Sequence, residues 1–245
     1  MRNITNRIPL NQKTIQKLDQ LTKEIVSKPI SKQKKFVDKK FAQERKKQWF
    51  KQEIIDKLKT MSGSGNRCMY CSNSASSDIE HFRPKSLFPE KTFEWNNMLW
   101  VCSPCNRKKE HAFPTDRNGH PLIIDPVSEN VWEFLYIDQK FGILIPRSDT
   151  EIHKVRAEKT IEILGLESEE REYLRKCRLK AIQKLKEWIN CLTEQLESKT
   201  KSREQIIKEL EEEKNTSFQP DVVDYFLNGP GQSEKPFVTF FKKLK

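Results

Sequence analysis

Two cysteine pairs, Cys68-Met69-Tyr70-Cys71 and Cys102-Ser103-Pro104-Cys105, give the chain a C-x2-C-x30-C-x2-C pattern. Each tight turn offers two sulfurs, and two turns together complete a tetrahedron around an ion such as Zn2+. The gap between them is longer than that of an ordinary zinc ribbon, so something substantial must fold between the two knuckles. A closed four-sulfur site does no hydrolysis and acts as a staple. In residues 66–113, whose short segments hold too few periodic apolar positions for an ordinary core, a metal could replace that core. A chain of 245 residues can bury a core without disulfides, and its cysteines therefore read as metal ligands. Cys177 and Cys191 stand alone in helical, apolar surroundings and read as small buried hydrophobes.

Charge is unevenly distributed along the chain. Residues 1–67 carry 18 Lys and Arg against 6 Asp and Glu, whereas the other 178 residues carry 28 against 29. A basic arm of this kind either holds phosphate backbones or forms a solvated helix face, and charge alone leaves both open. The opening MRNITNRIPLNQKTIQKLDQ lacks the apolar stretch of a secretory signal, and nowhere do 18 apolar residues run together. No membrane partner is expected, and the cytoplasm is the expected location.

Apolar spacing predicts a short amphipathic helix over Thr14–Val26 and a longer one over Lys34–Met61, ended by Ser62-Gly63-Ser64-Gly65. Runs at Leu122–Ile124, Phe134–Ile137 and Ile143–Ile145 predict a small antiparallel meander. Helices follow over Ile152–Leu164, closed by Gly165, over Ser168–Lys199, and over Arg203–Lys214. The last thirty residues read as loops around an apolar docking segment, Phe237–Phe241. The fold class is α+β, mainly α-helical. Expected divisions are a basic helical segment (1–65), a cysteine-framed core (66–115), a short β-meander (116–150) and a helical C-terminal region (151–245).

Between the knuckles lie Asp78-Ile79-Glu80-His81-Phe82-Arg83-Pro84 and Trp95-Asn96-Asn97-Met98-Leu99, and the second knuckle runs on into Asn106-Arg107-Lys108-Lys109. In order and spacing this resembles the HNH, or ββα-metal, nuclease motif, which reads acid-His-x-x-Pro, Asn-Leu, then Cys-x-x-Cys-Asn/His-x-x-Lys. The resemblance implies a ββα-metal core in which Glu80 and Asn106 hold a catalytic Mg2+ or Mn2+. It further implies that His81 activates water and that Asn97 orients the His-bearing loop. Such a division of labour is chemically sound: a hard cation takes oxygen ligands, and a neutral imidazole can accept a proton near neutrality. Asp78, two residues before Glu80 and on the same strand face, and Glu110, one helical turn beyond Asn106, are further candidate ligands. Glu replaces the commoner Asp at position 80, and Met98 replaces the usual Leu. Arg83, Lys85, Arg107, Lys108 and Lys109 flank the centre and are candidate phosphate contacts or a charged rim. His111, His120 and His153 lack such company and read as surface or packing residues.

A looser resemblance touches most of the chain. Met1-Arg2-Asn3-Ile4, EHFRPKS, WNNMLWVCSPCN, LIIDPVSEN and KTIEILGL are similar to PtuB-type HNH proteins, the effectors of the Septu anti-phage system and of certain retrons. That resemblance implies a metal-dependent DNA endonuclease controlled by a PtuA-like ABC-type ATPase. In the retron setting it implies in addition a reverse transcriptase with its RNA and DNA. The rival reading is a zinc-stapled, non-catalytic nucleic-acid-binding or scaffolding module, which explains the cysteines and the basic arm but not the register of Glu80, His81, Asn97 and Asn106.

Overall fold

The chain is seen in a computed structural model that describes residues 1–4, 7–73, 75–217 and 219–244. Asn11 opens helix α1 (Gln12–Val26) by accepting the Thr14 backbone N–H at 2.8 Å, and Leu18, Leu21 and Ile25 turn inward at helical spacing. After Pro29, α2 (Ile30–Glu44) buries Val37 and Phe41. The predicted helix over Lys34–Met61 is interrupted: Arg45–Lys47 separates α2 from α3 (Gln48–Phe50), which continues through one π turn at Lys51–Ile55 into α4 (Asp56–Ser62). Geometry explains the break. Nine residues make two and a half helical turns, so a straight helix would place Phe41 and Phe50 on opposite sides. With the break, the two rings pack edge to face, 5.8 Å apart, in one core. Gly63, with φ +82°, closes α4 at the expected Gly/Ser stretch.

The cysteine-framed segment supplies β1 (Asp78–His81), β2 (Met98–Val101) and α5 (Ser103–Lys109). The strands are antiparallel, with Glu80 opposite Leu99 and His81 opposite Met98. A ββα unit therefore stands where the motif places it, and the protein is α+β and mainly helical around it. Of the three strands expected between residues 121 and 146, two form a hairpin, β3 (Leu135–Ile137) and β4 (Leu144–Pro146). Leu122–Ile124 is not a strand. Its backbone is met elsewhere: the Leu122 N–H by Pro114 O, the Ile124 N–H by Thr160 Oγ1, and Ile123 O by Arg156.

Thr150 caps α6 (Glu151–Leu164) and Gly165 ends it in the left-handed conformation. The long α7 (Glu172–Glu197) and α8 (Arg203–Thr216, opened by a Ser202/Gln205 capping box) follow. The final stretch is helical rather than looped, as α9 (Pro220–Asn228) and α10 (Phe237–Leu244). Pro220 opens α9 and Gly229 ends it, so the Pro and Gly signals mark helix boundaries here. Phe226 of α9 stacks on Phe237 of α10 with ring centres 4.4 Å apart. Buried apolar side chains from every stretch of the chain join one core. Cys177 is half-buried, and Cys191 is exposed rather than buried, because it lies on the outer side of α7.

Fully buried Arg178 ties this C-terminal region together, reaching Glu167 Oε1 at 2.6 Å, Asp221 at 3.6 Å and Gly142 O at 2.9 Å. Gly142 has φ +66°, and a Cβ there would lie 2.6 Å from the Arg175 carbonyl oxygen. Backbone must then move. Gly142→Ala is expected to cost about 2–3 kcal/mol, or roughly 4–12 °C in Tm at ~2–4 °C per kcal/mol. Gly119→Ala, equally left-handed at φ +80° but with open space around it, should cost only the ~1 kcal/mol of the conformation itself. Equal melting temperatures for the two variants would contradict the close approach.

Candidate active site and metal centre

The two knuckles meet. The sulfurs of Cys68, Cys71, Cys102 and Cys105 lie within 4.8 Å of one another, and Cys71 and Cys102 are 3.8 Å apart. Zn–S bonds of about 2.3 Å in a tetrahedron place sulfurs about 3.8 Å apart, so the cluster has the size of a zinc site. Local structure brings it about. Ser72 takes φ +60° to turn the first knuckle, whose Met69 N–H donates to Trp100 O of β2 at 3.0 Å. Cys102 is the N-cap of α5, and Cys105 sits in its first turn. Burial pushes the Cys68 thiol well up, and hydrogen bonding with Cys102 raises Cys105. Four thiolates at such separations need a cation, and the donor set fits one.

β1 turns its residues to two different neighbours. Towards α5, Glu80 Oε1 accepts from Lys109 Nζ at 2.5 Å, and the same ammonium reaches His81 O at 3.1 Å. Both side chains are buried, Lys109 completely. Burial raises the Glu80 pKa while Lys109 opposes the rise. Asp78, two residues earlier and on the same face, accepts a 3.4 Å contact from Asn106 Nδ2. Two carboxylates, an amide and an ammonium are thus gathered between β1 and α5.

His81 faces the other way. Its Nε2 lies 3.0 Å from Thr92 O, and its ring packs edge-on against Phe41 of α2, 4.8 Å between centres. Lys85 bridges back to Asp38 of α2 at 3.0 Å. Burial, reinforced by the Lys85 charge, pushes His81 down to about 3. The imidazole is therefore neutral at any physiological pH, as a proton acceptor must be, and it is sealed under α2.

Asn97 holds the loop between His81 and β2. Its Oδ1 accepts the Arg83 N–H at 2.7 Å, and its Nδ2 donates to Arg83 O and Lys91 O at 3.1 and 2.9 Å. Glu110 lies at the end of α5, exposed, 3.9 Å from His111 and away from the Glu80 pair. Arg83 stacks over Phe88 and Phe113, Arg107 bonds Ser103, and Lys108 pairs with Glu170. Sequence reading did not identify Thr92 or Phe41 as partners of the centre, and it took Lys109 for a phosphate contact or rim charge, whereas burial against Glu80 leaves that ammonium no exposed surface. For Lys109 a signal existed: it follows Cys105 by four residues, one helical turn along the same buried face.

Residues 68–112 match the family model described as HNH endonuclease. They form the ββα unit of an HNH domain. A stretch of 118 residues is also 32% identical to Septu protein PtuB from Bacillus thuringiensis, and covers 45% of this chain and 44% of that protein. The chain thus matches under half the length of this curated relative. The HNH domain holds the cysteine cluster, β1, β2 and α5, while the helices packed on it lie outside the family match. None of the helices is long and apolar enough to cross a membrane among the described residues.

Buried His81 has a consequence for stability. An unfolded imidazole titrates near 6.5, so between pH 6.5 and about 3 the unfolded chain binds a proton that the folded one refuses. The contribution is complete above pH 6.5 and falls as pH drops, by about 1.4 kcal/mol per unit. Urea unfolding of wild type and His81→Asn at pH 7 and pH 5 should show a steeper loss for wild type. Parallel losses would mean that His81 is not buried neutral.

Proposed function

We propose that the chain is a metal-dependent DNA endonuclease whose HNH domain hydrolyses phosphodiester bonds, and that it is the nuclease effector of an anti-phage defence complex. The observation that carries the reading is the joining of Glu80, Asp78 and Asn106 on the α5 side of β1, one residue from His81, in a ββα unit stapled by four cysteines. Zn2+ would occupy the four sulfurs as a structural ion. Glu80 and Asn106, with Asp78 beside them and Glu110 as a further candidate, would hold Mg2+ or Mn2+, whose bound charge offsets that developing on the phosphate. His81 would take the proton of the attacking water, and Asn97 would fix the loop that carries it.

The described arrangement is a resting one in this reading. Lys109 occupies Glu80, and Phe41 covers His81. Cleavage requires α2 to yield and Lys109 to release the carboxylate, and both fit a nuclease governed by another protein. The likeness to Septu protein PtuB supports a defence setting, and the PtuB-type resemblance makes a PtuA-like ABC-type ATPase the proposed governor. A reverse transcriptase has no comparable support. Divided by role, residues 1–65 would hold DNA through their basic surface, 66–115 would cut, and the hairpin and helices of 116–245 would dock the partner.

One observation favours the rival, a zinc-stapled non-catalytic module: Glu80 already has a cationic partner. The two readings separate in one set of measurements. Wild type, His81→Ala and Glu80→Gln are incubated with plasmid DNA and Mg2+, with and without a PtuA-like ABC-type ATPase. Loss of a general base should slow nicking by roughly 100- to 10,000-fold, and Glu80→Gln should remove a second divalent-binding event seen after zinc saturation. Equal nicking by all three proteins would sink the assignment, and a zinc-saturated wild type that binds no further ion would favour the scaffold.

A further inference from the structure

One side chain from outside the HNH domain reaches the cysteine cluster. Arg171 ends the 3-10 turn Glu169–Arg171 that leads into α7, and it is 4% exposed. Its Nη1 donates to Cys105 Sγ at 3.4 Å and to Leu164 O at 2.9 Å. Burying a guanidinium is costly unless an anion accompanies it. Arg178, the other buried arginine, meets two carboxylates, Glu167 and Asp221. For Arg171, among the described residues, no carboxylate lies within ion-pair distance, and the Cys105 sulfur takes that place.

The charges are complementary. A divalent ion with four thiolates carries two net negative charges, and in a buried setting these need compensation as much as the guanidinium does. The surrounding junction is built for close approach. Gly165, where a Cβ would lie 2.6 Å from Lys108 Cδ, lets the end of α6 lie directly on α5, and Lys108 pairs with Glu170 at 3.0 Å. Arg171 is thereby held against the helix that carries Cys105.

We propose that Arg171 is an outer-shell partner of the Cys68, Cys71, Cys102 and Cys105 centre: its guanidinium, delivered by the C-terminal helices, offsets the charge of the tetrathiolate and strengthens its hold on zinc. The proposal rests on the zinc reading of these sulfurs. It makes the C-terminal region part of the metal site, although the region supplies no ligand.

Full-length wild type, Arg171→Gln, Arg171→Lys and Glu170→Gln are compared by zinc competition with a chromophoric chelator. Co2+ substitution reports the thiolate-to-cobalt charge-transfer bands. Arg171→Gln keeps a donor but removes the charge and should weaken zinc binding about 10- to 100-fold. Arg171→Lys keeps the charge and should stay within a few-fold of wild type. Glu170→Gln breaks the neighbouring ion pair without touching sulfur, and its zinc affinity should be unchanged. Wild-type affinity in Arg171→Gln, or an equal loss in Glu170→Gln, would overturn the assignment. A wild type without tetrathiolate cobalt bands would remove the zinc reading itself, a different failure that the same spectra reveal.

Discussion

Four sulfurs drawn into one cluster set the geometry on which the rest of the HNH domain depends. Cys68 and Cys71 belong to a knuckle hydrogen-bonded to β2 through Met69 and Trp100, while Cys102 and Cys105 form the N-cap and first turn of α5. Joining the pairs fixes how α5 leaves the end of β2. Asn106 directly follows the last sulfur, and Lys109 lies one turn from it, so the distance from sulfur to chemistry is set by helical rise and little else. The buried apolar positions of this short domain, among them Ile79, Phe82, Phe93 and all of β2, join the core of the whole chain, and a cation on the four sulfurs would add the tie between the two knuckles.

On that frame, the two faces of β1 divide the titratable groups between opposite environments. Glu80 and Asp78 face α5, where an ammonium and an amide meet them, and His81 faces α2 and an aromatic ring. The Glu80–Lys109 pair is a buried ion pair, and a divalent ion arriving at Glu80 must displace or share that contact. Removing either partner would leave a charge buried without compensation, a loss of roughly 3–5 kcal/mol in comparable pairs. Each partner is thus costly to remove singly, and in the proposed reading the same contact would limit access to the carboxylate.

How much of this could be read in the sequence differs from element to element. The cysteine spacing and the helices α1 and α6 follow from local rules, because ligand spacing, apolar periodicity and a terminal Gly act over a few residues, whereas β1 and β2 were expected only from the HNH resemblance. The break at Arg45–Lys47 was not legible, since it answers a tertiary demand that Phe41 and Phe50 share one core. Leu122–Ile124 looks like a strand by composition, but Thr160 and Arg156 of α6, over thirty residues away, satisfy its backbone. Pro220 and Gly229 were visible as punctuation, yet either loops or a short helix between them would have suited the pattern. At the site, the types and order of Glu80, His81, Asn97 and Asn106 were legible. The partners that now hold them, Lys109, Phe41 and Thr92, depend on which way each side chain turns.

The helices outside the HNH domain do more than support it. Phe41 of α2 lies on His81, Asp38 of α2 holds Lys85, Glu170 holds Lys108, and Arg171 lies against Cys105. The contacts reach the centre from two sides, α2 over β1 and the α6–α7 turn over α5. Movement of α2 would expose the imidazole and raise its pKa from about 3 towards that of a free histidine, because burial is the largest cause of the depression. In the proposed reading, DNA held on the basic N-terminal helices, or a partner docked on the C-terminal ones, would change both the access and the basicity of His81 by displacing α2, and control would then lie in the contacts between the helices and the HNH domain.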